Sequence, residues 1–207
     1  MSIEFYILDT ESTGLILNLH EIVEISIIRC SNKMQINRTI KADYPKNASM
    51  DALKITGKTI NDLYHGISKK QAIEDVENFF ALDGKTPEHR AIVAHNAFNF
   101  DMKFIHRMWE KENKYFPANL WLDTIPMVRE YAKKTGIIKP KVNLAASLDM
   151  FKIATNQRMH SAKGDSRATF YLWQKLLDEG IDYLPLLKRV PHAPEEENDL
   201  MSEMYDD

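Results

Sequence analysis

The 207 residues predict an α/β fold organised on a mixed β-sheet. Three observations carry that expectation. β-prone runs crowd residues 3–42, a short apolar run returns at Ala91–Ala94, and the stretches between and after them carry apolar residues at helical spacing. Strands first, then strands interleaved with helices, is the pattern of an antiparallel meander that continues into parallel strands flanked by helices.

The elements follow in order. Ile3–Leu8 is an apolar strand that delivers Asp9-Thr10-Glu11 at its C-terminal edge, with the turn residue Gly14 beyond. Ile22–Ile28 and Met34–Ala42 are the next two strands of a three-stranded meander, joined by a turn at Ser31-Asn32-Lys33. Tyr44-Pro45-Lys46-Asn47 ends it. Ser68 reads as an N-cap, after which Ala72, Ile73, Val76, Phe79 and Phe80 mark one helix face up to Asp83-Gly84. Ala91–Ala94 is a short strand leading into His95-Asn96. Phe98–Asn113 reads as a helix with Phe104, Ile105, Met108 and Trp109 inward, and Leu120–Asp123 as a short edge strand. Helices are expected over Thr124–Lys134, stopping at Gly136, and over Val142–Phe151. The last, Lys163–Leu177, turns Ala168, Leu172, Trp173 and Leu176 inward, with Gly180 beyond its end.

Composition limits the function classes. Hydrophobic content of 44% and charged content of 28% are those of a globular domain. No run of about 18 apolar residues is present, so no membrane span is expected. The N-terminus lacks a basic start and an apolar core of the secretory kind. One cysteine, Cys30, allows neither an internal disulfide nor a zinc site, which fits a cytoplasmic, reducing setting. Residues 195–207 hold seven acids and no Lys or Arg; the rest has 23 acids against 27 bases. A basic body suits a polyanionic partner such as nucleic acid. We expect one domain over residues 1–190 and an acidic, disordered tail over 191–207. In that tail Leu200, Met201, Met204 and Tyr205 interleave with acids, which leaves open a docking peptide for a protein partner.

Asp9 and Glu11 stand at i and i+2 on a strand, so both project to one face. Two like charges roughly 4 Å apart repel by about 1 kcal/mol in water and about 4 kcal/mol at an effective dielectric near 20. Either the strand frays into a solvated acidic turn, or a cation sits between them. Taken singly, Asp101, at the first turn of a helix, and Asp165, at the start of the last one, read as structural acids favoured by the helix dipole rather than as catalytic groups. His160 precedes Asp165 by five residues, on the loop leading in. Gly57-Lys58-Thr59 imitates the end of a phosphate-binding P-loop, but position 52 is Ala where that loop needs Gly, so a nucleoside triphosphatase is rejected.

Taken jointly, Asp-x-Glu on a first strand, His95-Asn96-Ala97-Phe98-Asn99-Phe100-Asp101 at mid-chain and His160-x4-Asp165 resemble the DEDDh family of 3′–5′ exonucleases, also called DnaQ-like. Asp9-Thr10-Glu11-Ser12-Thr13-Gly14-Leu15 is close to the family's first motif. Glu21-Ile22-Val23-Glu24-Ile25 and Asp123-Thr124 are similar to its second-strand and mid-domain signatures. The likeness covers roughly residues 3–178. Two departures stand out: Asn99 lengthens the second motif by one residue, and Thr56 replaces a common His.

The resemblance implies an RNase H-like mixed sheet and two-metal hydrolysis of phosphodiesters. Asp9, Glu11, Asp101 and Asp165 are then the ligands of two Mg²⁺ (or Mn²⁺), with Asp9 shared, and His160 is the general base. Four carboxylates balance two divalent ions, and an all-oxygen donor set favours those metals over zinc. By the same resemblance Thr10, Ser12, Thr13, Gly14 and Leu15 flank the terminal nucleotide, with Leu15 a wedge under the base and Asn96 at the sugar. Lys163, Arg167, Lys103 and Arg107 are candidate phosphate contacts or solvated helix faces, and Phe98 and Phe100 are core residues or stacking platforms. The expected substrate is a DNA 3′ end, preferably single-stranded. Trimming of RNA or short oligonucleotides, and a low-activity nucleic-acid-binding subunit, are the alternatives.

Overall fold

The computed structural model describes residues 2–154 and 160–190. The chain begins with β1 (Glu4–Ser12), β2 (Ile22–Arg29) and β3 (Gln35–Thr39), the expected antiparallel meander. Helix α1 (Met50–Thr56) follows, capped by the Ser49 hydroxyl and closed by Gly57, whose left-handed φ of 67° suits a residue without Cβ. Next come α2 (Lys69–Ala81), β4 (Arg90–Ala94) and α3 (Asp101–Glu110). The chain continues through β5 (Leu120–Asp123), α4 (Thr124–Thr135), α5 (Leu144–Met150), α6 (Ala162–Asp178) and β6 (Lys188–Arg189).

Among the described residues the strands form one sheet in the order β3-β2-β1-β4-β5-β6. β4 pairs parallel with β1 and β5 parallel with β4, while β6 is antiparallel to β5. The sheet is therefore mixed and is covered on both faces. α2 and α3 pack on one face over Tyr6, Leu8, Ile25, Ile27 and Ile92. α4, α5 and α6 pack on the other over Ile7, Ile28, Val93 and Leu122. α6 earns its place through Ala168, Leu172, Trp173 and Leu176, all buried, each large apolar side chain contributing roughly 2 kcal/mol by leaving water.

The structure alters several expectations. The helix read as Phe98–Asn113 occupies only Asp101–Glu110, because residues 97–100 turn sharply to place Asp101 at its first position. The strand over Met34–Ala42 shortens to Gln35–Thr39. Leu120–Asp123 is not an edge, since Leu120 and Trp121 pair with Arg189 and Lys188. α1 was unforeseen: a seven-residue helix that buries only Leu53 and Thr56 shows too little periodicity to be read. The acidic tail lies outside the described residues.

Candidate active site

Side chains alternate along β1, so Asp9 and Glu11 share the face of Ile7, the side covered by α6. The first turn of α6 presents Asp165 to them. Carboxylate oxygens of Asp9, Glu11 and Asp165 all lie within 4.8 Å of one another. Asp165 Oδ2 accepts from the His160 backbone N–H at 3.2 Å, whereas its Oδ1 is buried and has no hydrogen-bond partner among the described residues. A buried carboxylate oxygen left unpaired costs free energy, so it marks a place for a cation. His160, at a left-handed φ of 64°, leaves its ring exposed beside this cluster.

Asp101 reaches the same region from the first residue of α3. Its Oδ1 accepts from the Thr10 amide at 3.0 Å and from the Thr10 hydroxyl at 2.7 Å. Burial, then the charges of Asp101, Asp165, Glu11 and Glu24, push the Asp9 carboxyl well above the usual carboxylate range. Burial, Asp165 and Glu24 push Glu11 up to about 8. Asp165 and Asp101 are also raised by burial, the latter opposed by the Thr10 bonds. Four acids thus resist ionising together in the absence of a cation.

The β1–β2 connection is held by its own polar groups. The Ser12 hydroxyl donates to the Gly14 carbonyl at 2.6 Å, and Thr13 Oγ1 accepts from the Glu21 amide at 3.0 Å. Gly14 has φ 154°, and a Cβ there would stand 2.5 Å from the His20 ring. Hence the buried hydroxyls of Thr10, Ser12 and Thr13 are engaged within the protein, while Leu15, 80% exposed, projects from the loop. Asn96 sits at φ 69° with its amide donating to Asp123 Oδ1 at 3.0 Å, and its side chain accepts from Asn99 at 2.9 Å. Lys163 is exposed on the first turn of α6. Phe98 and Phe100 are partly buried against the core, Phe100 lying 4.8 Å from Phe104.

Two groups beside the cluster escaped the sequence reading. Glu24 faces Glu11 across the ladder; its Oε1 pairs with Lys58 at 2.5 Å and its Oε2 accepts from the Ala162 amide at 3.2 Å. The signal was an acid inside the apolar run Ile22–Ile28, together with the lysine of the discarded P-loop imitation. His95 was read as part of a turn and as the first residue of the mid-chain motif, with no role of its own. Its Nε2 donates to the Val142 carbonyl at 2.8 Å, so its Nδ1 must accept from the Thr124 hydroxyl at 2.7 Å. Burial lowers its pKa, which keeps this tautomer neutral.

The Thr10–Asp101 bond supplies a direct test of the site's scaffold. Thr10→Val keeps the shape but removes the hydroxyl, leaving a buried carboxylate short of one donor. Stability should fall by roughly 1–3 kcal/mol in thermal or urea unfolding, and Thr10→Ser should restore most of it.

The model of the RNase T exonuclease family matches residues 6–173 of the chain. A DNA polymerase III of the PolC type from Mycoplasma genitalium is 26% identical over 194 residues, 87% of this chain and 12% of that protein. The chain therefore spans about an eighth of the length of that relative. Among solved structures, the nuclease domain of 3′hExo, a DEDDh family member bound to rAMP, superposes with a TM-score of 0.68 at 16% identity, over 88% of this chain and 95% of that one. E. coli Exonuclease I in complex with a dT13 oligonucleotide gives 0.71 at 18% identity, over 86% and 41%.

Proposed function

Because this chain belongs to the RNase T family of exonucleases, we propose that it is a metal-dependent 3′–5′ exonuclease that removes nucleoside monophosphates from DNA 3′ ends, single strands preferred. The carrying observation is the convergence of Asp9, Glu11 and Asp165 within 4.8 Å, with one buried Asp165 oxygen unpartnered among the described residues. Those oxygens, with Asp101 from α3, fit hard divalent cations, and we assign Asp9, Glu11, Asp101 and Asp165 to two Mg²⁺ or Mn²⁺. When bound, such ions acidify water and stabilise charge on the attacking and leaving oxygens.

The remaining work falls to the protein. The exposed His160 ring, anchored through its backbone to Asp165, is the group we assign to take the proton from the attacking water. Backbone groups of Thr10–Leu15 flank the terminal nucleotide, Leu15 lies against its base, and Asn96 and Lys163 meet sugar and phosphate. Thr10, Ser12 and Thr13 act there by shaping the loop, since their hydroxyls are already engaged. We take residues 1–190 as the nuclease domain. The likeness to PolC-type polymerases supports DNA over RNA as the substrate. Among the described residues no helix is long and apolar enough to cross a membrane.

The test is a time course on matched DNA and RNA oligomers labelled at the 5′ end, with Mg²⁺. DNA should shorten stepwise from its 3′ end, faster than RNA, and chelator should stop it. Faster shortening of RNA would reverse the substrate assignment; internal cuts, or no product, would sink the activity itself.

A further inference from the structure

We propose that the loop between α4 and α5, residues 137–142, holds the phosphates of a single-stranded nucleic acid upstream of the bond being cut. This rests on the nuclease reading above and names where the rest of the substrate strand lies.

Placement is the first argument. Ile7 and Val93 pair across the neighbouring strands β1 and β4, and the two segments run on two residues further, to Asp9 in β1 and to His95 in the turn that follows β4. The His95 imidazole holds the end of the loop through the Val142 carbonyl and the start of α4 through Thr124. One end of the loop is therefore tied to the turn that follows β4, the strand beside the one that carries Asp9.

Charge is the second. Residues 133–141 read Lys-Lys-Thr-Gly-Ile-Ile-Lys-Pro-Lys, four cations and no acid. Among the described residues Lys133, Lys139 and Lys141 are exposed and make no ion pair, whereas Lys58, Lys69, Lys114 and Lys175 each pair with a carboxylate. A strand approaching a cluster of carboxylates is repelled by it, and unpaired cations along its path offset that repulsion.

The third is Ile138. It is 86% exposed, the most exposed large apolar side chain among the described residues, and it stands directly before Lys139. An aliphatic side chain beside cations offers a base an apolar surface to rest on while the lysines meet the backbone, a contact without the π-stacking that an aromatic side chain adds.

The experiment compares the full chain with Lys139→Gln/Lys141→Gln, with Ile138→Ala, and with a control of equal charge, Lys33→Gln/Lys46→Gln, on exposed lysines elsewhere. Binding of a fluorescent deoxythymidine dodecamer is measured by anisotropy with Ca²⁺ in place of Mg²⁺, across a salt series. The double loop variant should bind about tenfold more weakly. Its dependence of log affinity on log salt should flatten by about 1.4, two single-strand phosphate contacts. Ile138→Ala should weaken binding several-fold with the slope kept. The ratio of kcat/KM on the dodecamer to that on the p-nitrophenyl ester of thymidine 5′-phosphate, which has no upstream phosphate, should fall about tenfold. Wild-type binding and slope in the loop variant, an equal loss in the control, or an unchanged ratio would overturn the proposal. Absence of cleavage by the wild type would instead overturn the nuclease reading, and the binding titration, which needs no turnover, still decides the loop.

Discussion

Asp9→Asn is expected to lower the rate of 3′-end shortening by about a thousandfold or more, while raising the melting temperature of the metal-free protein. The two effects have one cause. Asp9 lies under burial and the charges of Asp101, Asp165, Glu11 and Glu24, all of which oppose its ionisation. A neutral isostere removes that repulsion, so the fold gains; a rise of roughly 2–12 °C corresponds to about 1–3 kcal/mol in a chain of this size. The same charge is what we assign to hold the cations, and without it their stabilisation of the reacting oxygens is lost. Scanning calorimetry in chelator and the labelled-oligonucleotide assay, run on one preparation, measure both. A variant that loses stability and keeps activity would contradict the electrostatic account of the site.

The second large effect is a pH dependence that Mg²⁺ should erase. Glu11 titrates near 4.5 in an unfolded chain and is pushed up to about 8 in the folded one, chiefly by burial and then by Asp165 and Glu24. Between those values the folded state holds more protons than the unfolded state. Stability must then fall as pH rises through that window, opposite to an acid held in an ion pair. Allowing for the exposed part of the side chain, the loss from Glu11 is on the order of 2 kcal/mol between pH 5 and 8. In chelator the melting temperature should drop steadily across that range, and saturating Mg²⁺ should flatten the curve. Metal binding at pH 7 should also release protons, visible as a dependence of the calorimetric heat on the buffer. A melting temperature indifferent to pH in chelator would mean that the acids are already balanced by something other than a bound cation.

Much of this was legible in the residues. The meander, α2 with all five of its inward residues, and the inward face of α6 follow from hydrophobic spacing. So does the shared face of Asp9 and Glu11, because alternation along a strand is a covalent property of the chain. The motifs were read through their resemblance to a known family, and the family match agrees. α1 and β6 were not legible, being too short to show a period: seven residues in one and Lys188–Arg189 in the other. The edge position assigned to β5 failed because the partner that covers it lies nearly 70 residues later, and nothing in Leu120–Asp123 signals its arrival.

The sequence by itself determined which acids could meet and the strand geometry that sets two of them side by side. Only the tertiary structure decided how the others arrive. Asp101 is drawn in by the Thr10 hydroxyl across 91 residues, Glu24 is set opposite Glu11 by strand register, and the end of the lysine loop is tied to the turn after β4 by one imidazole bond. The physical reason is range. Backbone alternation and capping act within a few residues, whereas the field at a buried carboxylate is summed over whatever the folded chain places within a few ångströms, however distant along the sequence.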